Sequence, residues 1–71
     1  PCVSILEEQE KILRNGNPFR VREIQNLLPE GQNVDELEKD RIRVYDTAGQ
    51  FCAIYEYREE KGMFFPVKMF L

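Results

Sequence analysis

Residues 41–57, RIRVYDTAGQFCAIYEY, constrain the fold of this chain more than any other stretch. Ile42 and Val44 alternate with polar or charged neighbours, which is the period-two pattern of a half-buried strand. The segment DTAG that follows is typical of a turn, because its glycine can adopt a positive φ. Residues 51–57, FCAIYEY, are almost all apolar or aromatic, which predicts a central strand. We therefore predict an antiparallel hairpin with strands over 41–46 and 51–57.

A further strand is predicted over 64–70, FFPVKMF, after a polar turn that contains Gly62. Pro66 has no backbone N–H to donate, so we expect it at a sheet edge or at a β-bulge. Cys52 lies in the apolar run of the preceding strand, and free cysteines are among the most buried residues in proteins. It is therefore predicted to be a small buried hydrophobe.

The stretch 3–15 has the features of an amphipathic helix. Ser4 followed by Glu7 matches the capping box, and Gly16 and Pro18 are the expected stop signals. A single apolar stripe at helical spacing is formed by Ile5, Leu6, Gln9, Ile12 and Leu13.

The middle of the chain is less regular. Residues 18–24, PFRVREI, alternate apolar residues with two arginines, which predicts a strand. The following residues, up to 32, are expected to form a loop around a proline and a glycine. Residues 33–40, NVDELEKD, are either a short helix capped by Asn33 or a polar turn. One helix followed by four or five short strands indicates a small α+β or barrel-like domain.

Length and composition narrow the class of protein. Seventy-one residues make a single domain, and no run approaches the about 18 apolar residues that cross a bilayer. There is no signal-peptide pattern at the start. Two isolated cysteines, Cys2 and Cys52, fit a reducing, cytoplasmic setting. Because the chain begins with Pro1 rather than methionine, we expect it to be a piece excised from a longer protein.

The residues that catalysis would need are missing. The chain contains no histidine, so a nucleophile and base pair of the usual kind is unsupported. No stretch has the several glycines of a phosphate-cradling loop. The adjacent acids Glu7 and Glu8, like Glu59 and Glu60, are typical of solvated faces. The sequence therefore favours a binding module over an enzyme.

One basic stretch interrupts an acidic chain. Between Lys11 and Arg22 there are four basic residues and no acidic ones, whereas the chain as a whole carries 10 basic and 13 acidic residues. A turn signal, NGNP, lies in its middle. A glycine turn exposes backbone N–H groups, and arginine forks suit phosphate geometry. The alternative is a helix cap followed by solvated arginines, and the net charge of −3 counts against a broad nucleic-acid surface.

The order of these motifs resembles the C-terminal region of the bacterial tRNA pseudouridine synthase B family, whose members end in a small PUA-type domain. That family pattern contains an (I/V)-x-V-(Y/F) strand, a turn ending in glycine, an F-x-A/G-I-Y strand and a terminal Lys-Pro-x-Lys strand. Residues 42–45, Gly49, 51–55 and 66–70 match it in order. Phe65 stands where a lysine often precedes the proline. Residues 25–36 match no part of the pattern.

The resemblance implies a mostly β pseudobarrel of the α+β class, with four to five short mixed strands and the N-terminal helix packed at one opening. It also implies that the end of this helix, the glycine turn and the following strand contact the tRNA backbone near the acceptor and T stems. The candidate RNA-binding residues are Lys11, Arg14, Asn15, Gly16, Asn17, Arg20 and Arg22.

The resemblance further implies that the isomerisation belongs to a larger N-terminal domain, whose catalytic aspartate lies outside this chain. Neither a cofactor nor a metal is expected. The chain would be a cytoplasmic, monomeric accessory domain with tRNA and its own catalytic domain as partners. Alternatively, it is a structural or protein-interaction domain that docks on the catalytic domain without contacting RNA. An unusually large aromatic set could supply that docking surface: Phe51, Tyr55, Tyr57, Phe64, Phe65 and Phe70.

Overall fold

The computed structural model describes residues 2–37 and 41–70. These residues form five strands, two short α-helices and two 3-10 helices. In chain order the elements are β1 (Cys2–Ser4), a 3-10 helix (Glu7–Gln9), α1 (Glu10–Arg14), β2 (Phe19–Arg20), α2 (Val21–Leu27), a second 3-10 helix (Val34–Glu36), β3 (Arg41–Tyr45), β4 (Phe51–Arg58) and β5 (Met63–Met69).

All five strands belong to one mixed sheet in the order β1-β3-β4-β5-β2. The pair β1–β3 is parallel, and the other three pairs are antiparallel. The predicted fold class is confirmed, because the strands form a curled, mostly β pseudobarrel accompanied by short helices. Across the described parts of the chain, no helix is long and apolar enough to cross a membrane.

The core lies on the concave side of this sheet. Alternate residues of each strand point inward, and side chains from α1, α2 and the second 3-10 helix close the core from the other side. The buried apolar residues are Val3, Ile5, Leu13, Phe19, Ile24, Val34, Leu37, Ile42, Val44, Cys52, Ala53, Tyr55 and Phe64.

The predicted helix over 3–15 is wrong in its first half. Cys2–Ser4 is a strand, and the Ile5 N–H donates to the carbonyl of Tyr45 at 3.0 Å, so the chain stays extended beside β3. The helical segments start only at Glu7. The capping interaction comes from Gln9 rather than from Ser4, because Gln9 Oε1 accepts from the Leu6 N–H at 2.9 Å. Pairing with a distant strand outweighs the local helical pattern here.

The predicted strand over 18–24 is also largely wrong. Only Phe19–Arg20 pairs with β5, and α2 begins at Val21. Glu23 Oε1 accepts from the Arg20 N–H at 2.8 Å, which caps the helix start. The helix extends to Leu27, where a loop was expected.

The hairpin and the last strand lie where the sequence predicts them, within one residue at each end. β4 is central, between β3 and β5. Its register with β5 shifts between Ile54 and Tyr55, so that Val67 is the extra residue beside Pro66. The bulge expected at this proline is confirmed. Cys52 is buried as predicted, and burial raises the pKa of its thiol.

The helical alternative for NVDELEKD is confirmed for the residues that the structure describes. Val34–Glu36 is a 3-10 helix, and Asn33 Oδ1 accepts from the Asp35 N–H at 3.0 Å. The last three residues of that segment, 38–40, lie outside the described residues.

Candidate nucleic-acid interface

The turn between α1 and β2 has the hydrogen bonds of a Schellman motif. The Asn17 N–H donates to the Ile12 carbonyl at 3.0 Å, and the Gly16 N–H donates to the Leu13 carbonyl at 3.0 Å. Gly16 takes the left-handed conformation that this motif requires, with φ 68°. The expectation that this turn exposes free backbone N–H groups is therefore wrong, because they are used to close the helix. An anion at this turn would therefore have to be bound by side chains.

Tyr55 is hydrogen-bonded to the last part of the same turn. Its hydroxyl donates to the Asn17 carbonyl at 2.9 Å, although the two residues are 38 positions apart. The Tyr55 ring is fully buried and lies 5.1 Å from the Phe19 ring, centroid to centroid. Burial raises the pKa of Tyr55 to about 12. A buried residue of the central strand thus fixes the position of the turn relative to the sheet.

Replacing Tyr55 with phenylalanine is expected to lower the free energy of unfolding by about 1 kcal/mol at pH 7, since one hydrogen bond is lost and the ring is kept. The difference should shrink at alkaline pH. A tyrosine in the unfolded chain ionises near pH 10, whereas the pKa of Tyr55 in the folded protein is about 12. The wild type therefore loses stability as the pH rises from about 10, and the phenylalanine variant does not. Denaturant unfolding of both proteins between pH 7 and 11 measures this. A difference that is constant over that range would contradict the buried hydroxyl.

The structure separates the predicted RNA-binding residues into three groups. Lys11, Arg14 and Asn15–Asn17 lie at the end of α1 and in the turn. Arg20 is on β2, three residues beyond Asn17, so their Cα atoms are at most about 11 Å apart. Arg22 is on α2 instead of on a shared strand face with Arg20, which corrects the prediction that both arginines project from one strand.

Arg14 is already engaged with carboxylates. Its Nη2 lies 3.8 Å from Asp46 Oδ2, and its Nε lies 3.8 Å from Glu10 Oε2. Within residues 2–37 and 41–70, no carboxylate lies within 4.0 Å of the basic groups of Lys11, Arg20 or Arg22. All three are exposed. They are better placed than Arg14 to accept a phosphate.

Asp46 is a part of this region that the sequence analysis did not single out. Its Oδ1 accepts from the N–H groups of Gln50, at 2.8 Å, and Ala48, at 2.9 Å, and these bonds hold the pKa of the carboxyl below its usual value. The Thr47 hydroxyl donates to Glu10 Oε1 at 2.6 Å. The β3–β4 turn is therefore tied to α1 by a hydrogen bond as well as by the Arg14 contact. The sequence signal for this role of Asp46 was an aspartate at the first position of a turn.

Chemically, the exposed basic and amide side chains of this region can bind an anion. The turn presents two exposed asparagines beside an open glycine, where a Cβ atom would meet nothing within 4 Å. Lys11 and Arg20 flank it in the chain, and neither is paired with a carboxylate among the described residues. Among the described residues, no three histidine, cysteine or carboxylate side chains are grouped to hold a metal ion.

The chain is similar to tRNA pseudouridine synthase B of Lachnoclostridium phytofermentans, with 39% identity over all 71 residues. It spans 22% of the length of that relative, and the match falls on the C-terminal part. No family model matches the chain, and no solved structure matches it. The predicted resemblance to the C-terminal region of this enzyme is confirmed.

Proposed function

We propose that this chain is the accessory tRNA-binding domain of a tRNA pseudouridine synthase. It contacts the RNA backbone near the acceptor and T stems and so positions the uridine of the TΨC loop for a catalytic domain outside this chain. The observation that carries the proposal is the whole-chain similarity to a tRNA-modifying enzyme. The exposed basic side chains of Lys11 and Arg20, on either side of the α1–β2 turn, support the location. The compartment proposed with it is the cytoplasm, where both cysteines stay free thiols.

The basic turn positions RNA and does not read its sequence. Contacts from lysine and arginine to phosphates add affinity and fix register, whereas specificity needs contacts to base edges. A patch of three or four charges binds weakly on its own. When it is joined to a domain that grips the T arm, the second contact becomes intramolecular, and its effective concentration rises. The catalytic residues are expected on that other domain, with no cofactor required.

Crosslinking tests the location directly. A photoreactive amino acid placed at Asn17 in the full-length protein is expected to crosslink to tRNA, because Asn17 is exposed and lies between Gly16 and Arg20. The same probe at Glu30, an exposed position on the loop after α2, serves as the control. Mapping the crosslinked nucleotides should place them in the acceptor or T stem. Equal crosslinking from both positions, or none from Asn17, would contradict the proposal.

A further inference from the structure

The strand register places a second group of basic residues on one surface. Cα partners in neighbouring antiparallel strands point to the same face, so Arg20, Met63 and Arg58 form a row across β2, β5 and β4. Phe19, which precedes Arg20, and Phe64, which follows Met63, are paired with each other and buried on the opposite face. This row therefore lies on the convex side of the sheet.

Two parallel rows continue the same surface. One consists of Arg41, Glu56 and Phe65, and the other of Arg43, Ile54 and Lys68. Together with Tyr45, Phe51 and Phe70 at the far end, these three rows are called the outer sheet face. Its basic residues are all exposed: Arg20, Arg41, Arg43, Arg58 and Lys68.

The charge of the outer sheet face is opposite to that of the chain. It has five basic residues and one acidic residue, Glu56, among the described strands, whereas the other residues of the chain comprise five basic and twelve acidic ones. Glu56 Oε1 lies 4.0 Å from Arg41 Nε, and both side chains are largely exposed. An exposed pair of this kind is weak, so Arg41 remains available to another anion.

Aromatic rings lie among these charges and are unusually exposed. The Phe51 ring lies 5.5 Å from Tyr45 and 5.0 Å from Phe70, centroid to centroid. Phe51 is 39% exposed and Phe70 is 48% exposed. Lys68 Nζ lies 5.9 Å from the Phe70 ring centroid. At the other end, Arg58 Cζ lies 5.9 Å from the Phe65 ring centroid.

We propose that the outer sheet face is a second RNA-contacting surface that takes unpaired nucleotides. Bases stack on exposed aromatic rings while arginine and lysine contact the backbone, which is how sheets and grooves hold single strands. The excess of basic over acidic residues on this face favours a polyanion such as RNA, since a protein partner would have to present a matching acidic surface. The inference rests on the proposed action on RNA but, apart from Arg20, uses residues other than those assigned to the α1–β2 turn. Arg20 borders both surfaces.

Glu56→Gln in the full-length protein tests this surface without loss of packing, since the two side chains have the same shape. Removing the one acid of the face is expected to raise affinity for a ten-nucleotide oligouridylate about two- to fivefold at 50 mM salt, and less at 500 mM. Glu30→Gln, which changes the net charge equally on the loop after α2, is the control and should leave the affinity unchanged. Equal effects of the two variants would overturn the proposal.

Phe70→Leu separates stacking from apolar docking, because leucine keeps the apolar contact and removes the ring. We expect about fivefold or greater loss of oligouridylate binding. Unchanged binding by this variant would overturn the stacking assignment. If the wild type did not bind the oligonucleotide at all, the proposal would also be overturned, and the face would be assigned to protein docking. If instead Glu56→Gln and Phe70→Leu behave as predicted while the double variant Lys11→Ala and Arg22→Ala leaves tRNA binding intact, this inference stands and the assignment of the turn fails.

Discussion

Phe19→Ala is expected to destabilise the protein by about 3–5 kcal/mol, which is most of the stability of a domain this small. Phe19 is fully buried and packs its ring against Tyr55. It also supplies half of β2, a strand of only two residues. Its loss therefore leaves a cavity at the point where the α1–β2 turn joins the sheet, and few other contacts can hold the strand in place.

Chemical denaturation followed by circular dichroism measures this effect. The matched control is Phe70→Ala, because Phe70, directly after β5, is also a phenylalanine but is 48% exposed. We expect the control to change the free energy of unfolding by less than about 1 kcal/mol. If the two variants unfolded at the same denaturant concentration, the inward orientation of Phe19 would be incorrect, and with it the position of the turn.

The sequence predicts the β3–β5 part of the fold well because its signals are local. Alternation in 41–45 defines one face, the DTAG turn joins neighbouring strands, and the missing N–H of Pro66 requires an interruption in the ladder. The Asn33 cap is equally local, since its hydrogen-bond partner is two residues away. Each of these features depends on residues that are close in the chain.

The errors occur where distant residues decide the structure. Residues 3–6 continue the helical pattern of the segment that follows, but parallel pairing of Cys2–Ser4 with β3 makes the chain a strand there. Alternation in 18–22 is too short to define a strand. Two signals instead favoured α2: the helical spacing of Val21, Ile24 and Leu28, and the acidic Glu23 in the first turn. The short alternation was wrongly preferred to them.

The candidate site was predictable in composition but not in geometry. The basic stretch identified the residues, yet only the structure reveals that Arg14 faces Asp46 and that Tyr55 holds the Asn17 carbonyl. The outer sheet face was missed for the same reason. Its arginines and lysine are spread over β2, β3, β4 and β5, and no window of sequence brings them together.

The triple variant Lys11→Ala, Arg20→Ala and Arg22→Ala in the full-length protein is expected to weaken tRNA binding about tenfold or more at 0.1 M salt. These three side chains are exposed, and no carboxylate in the described parts of the chain pairs with them. Arg14 is left intact because its removal would also deprive the buried Asp46 of its counter-charge. Replacing Arg14 would therefore change the free energy of unfolding as well as the affinity for tRNA.

Lys61→Ala is the control for this variant. Lys61 is exposed on the turn between β4 and β5, outside the α1–β2 turn. Removing its charge is expected to change tRNA affinity less than twofold. Unfolding measurements on both variants should match the wild type, since none of the replaced side chains is buried.

The salt dependence of tRNA binding tests the central claim most directly, because it counts the phosphate contacts that are lost. Each contact contributes about 0.7–0.9 to the slope of log affinity against log salt concentration. The triple variant is therefore predicted to have a slope shallower than the wild type by about two to three, with the lines converging at high salt. Parallel lines for the two proteins would contradict the claim that the α1–β2 turn contacts the RNA backbone.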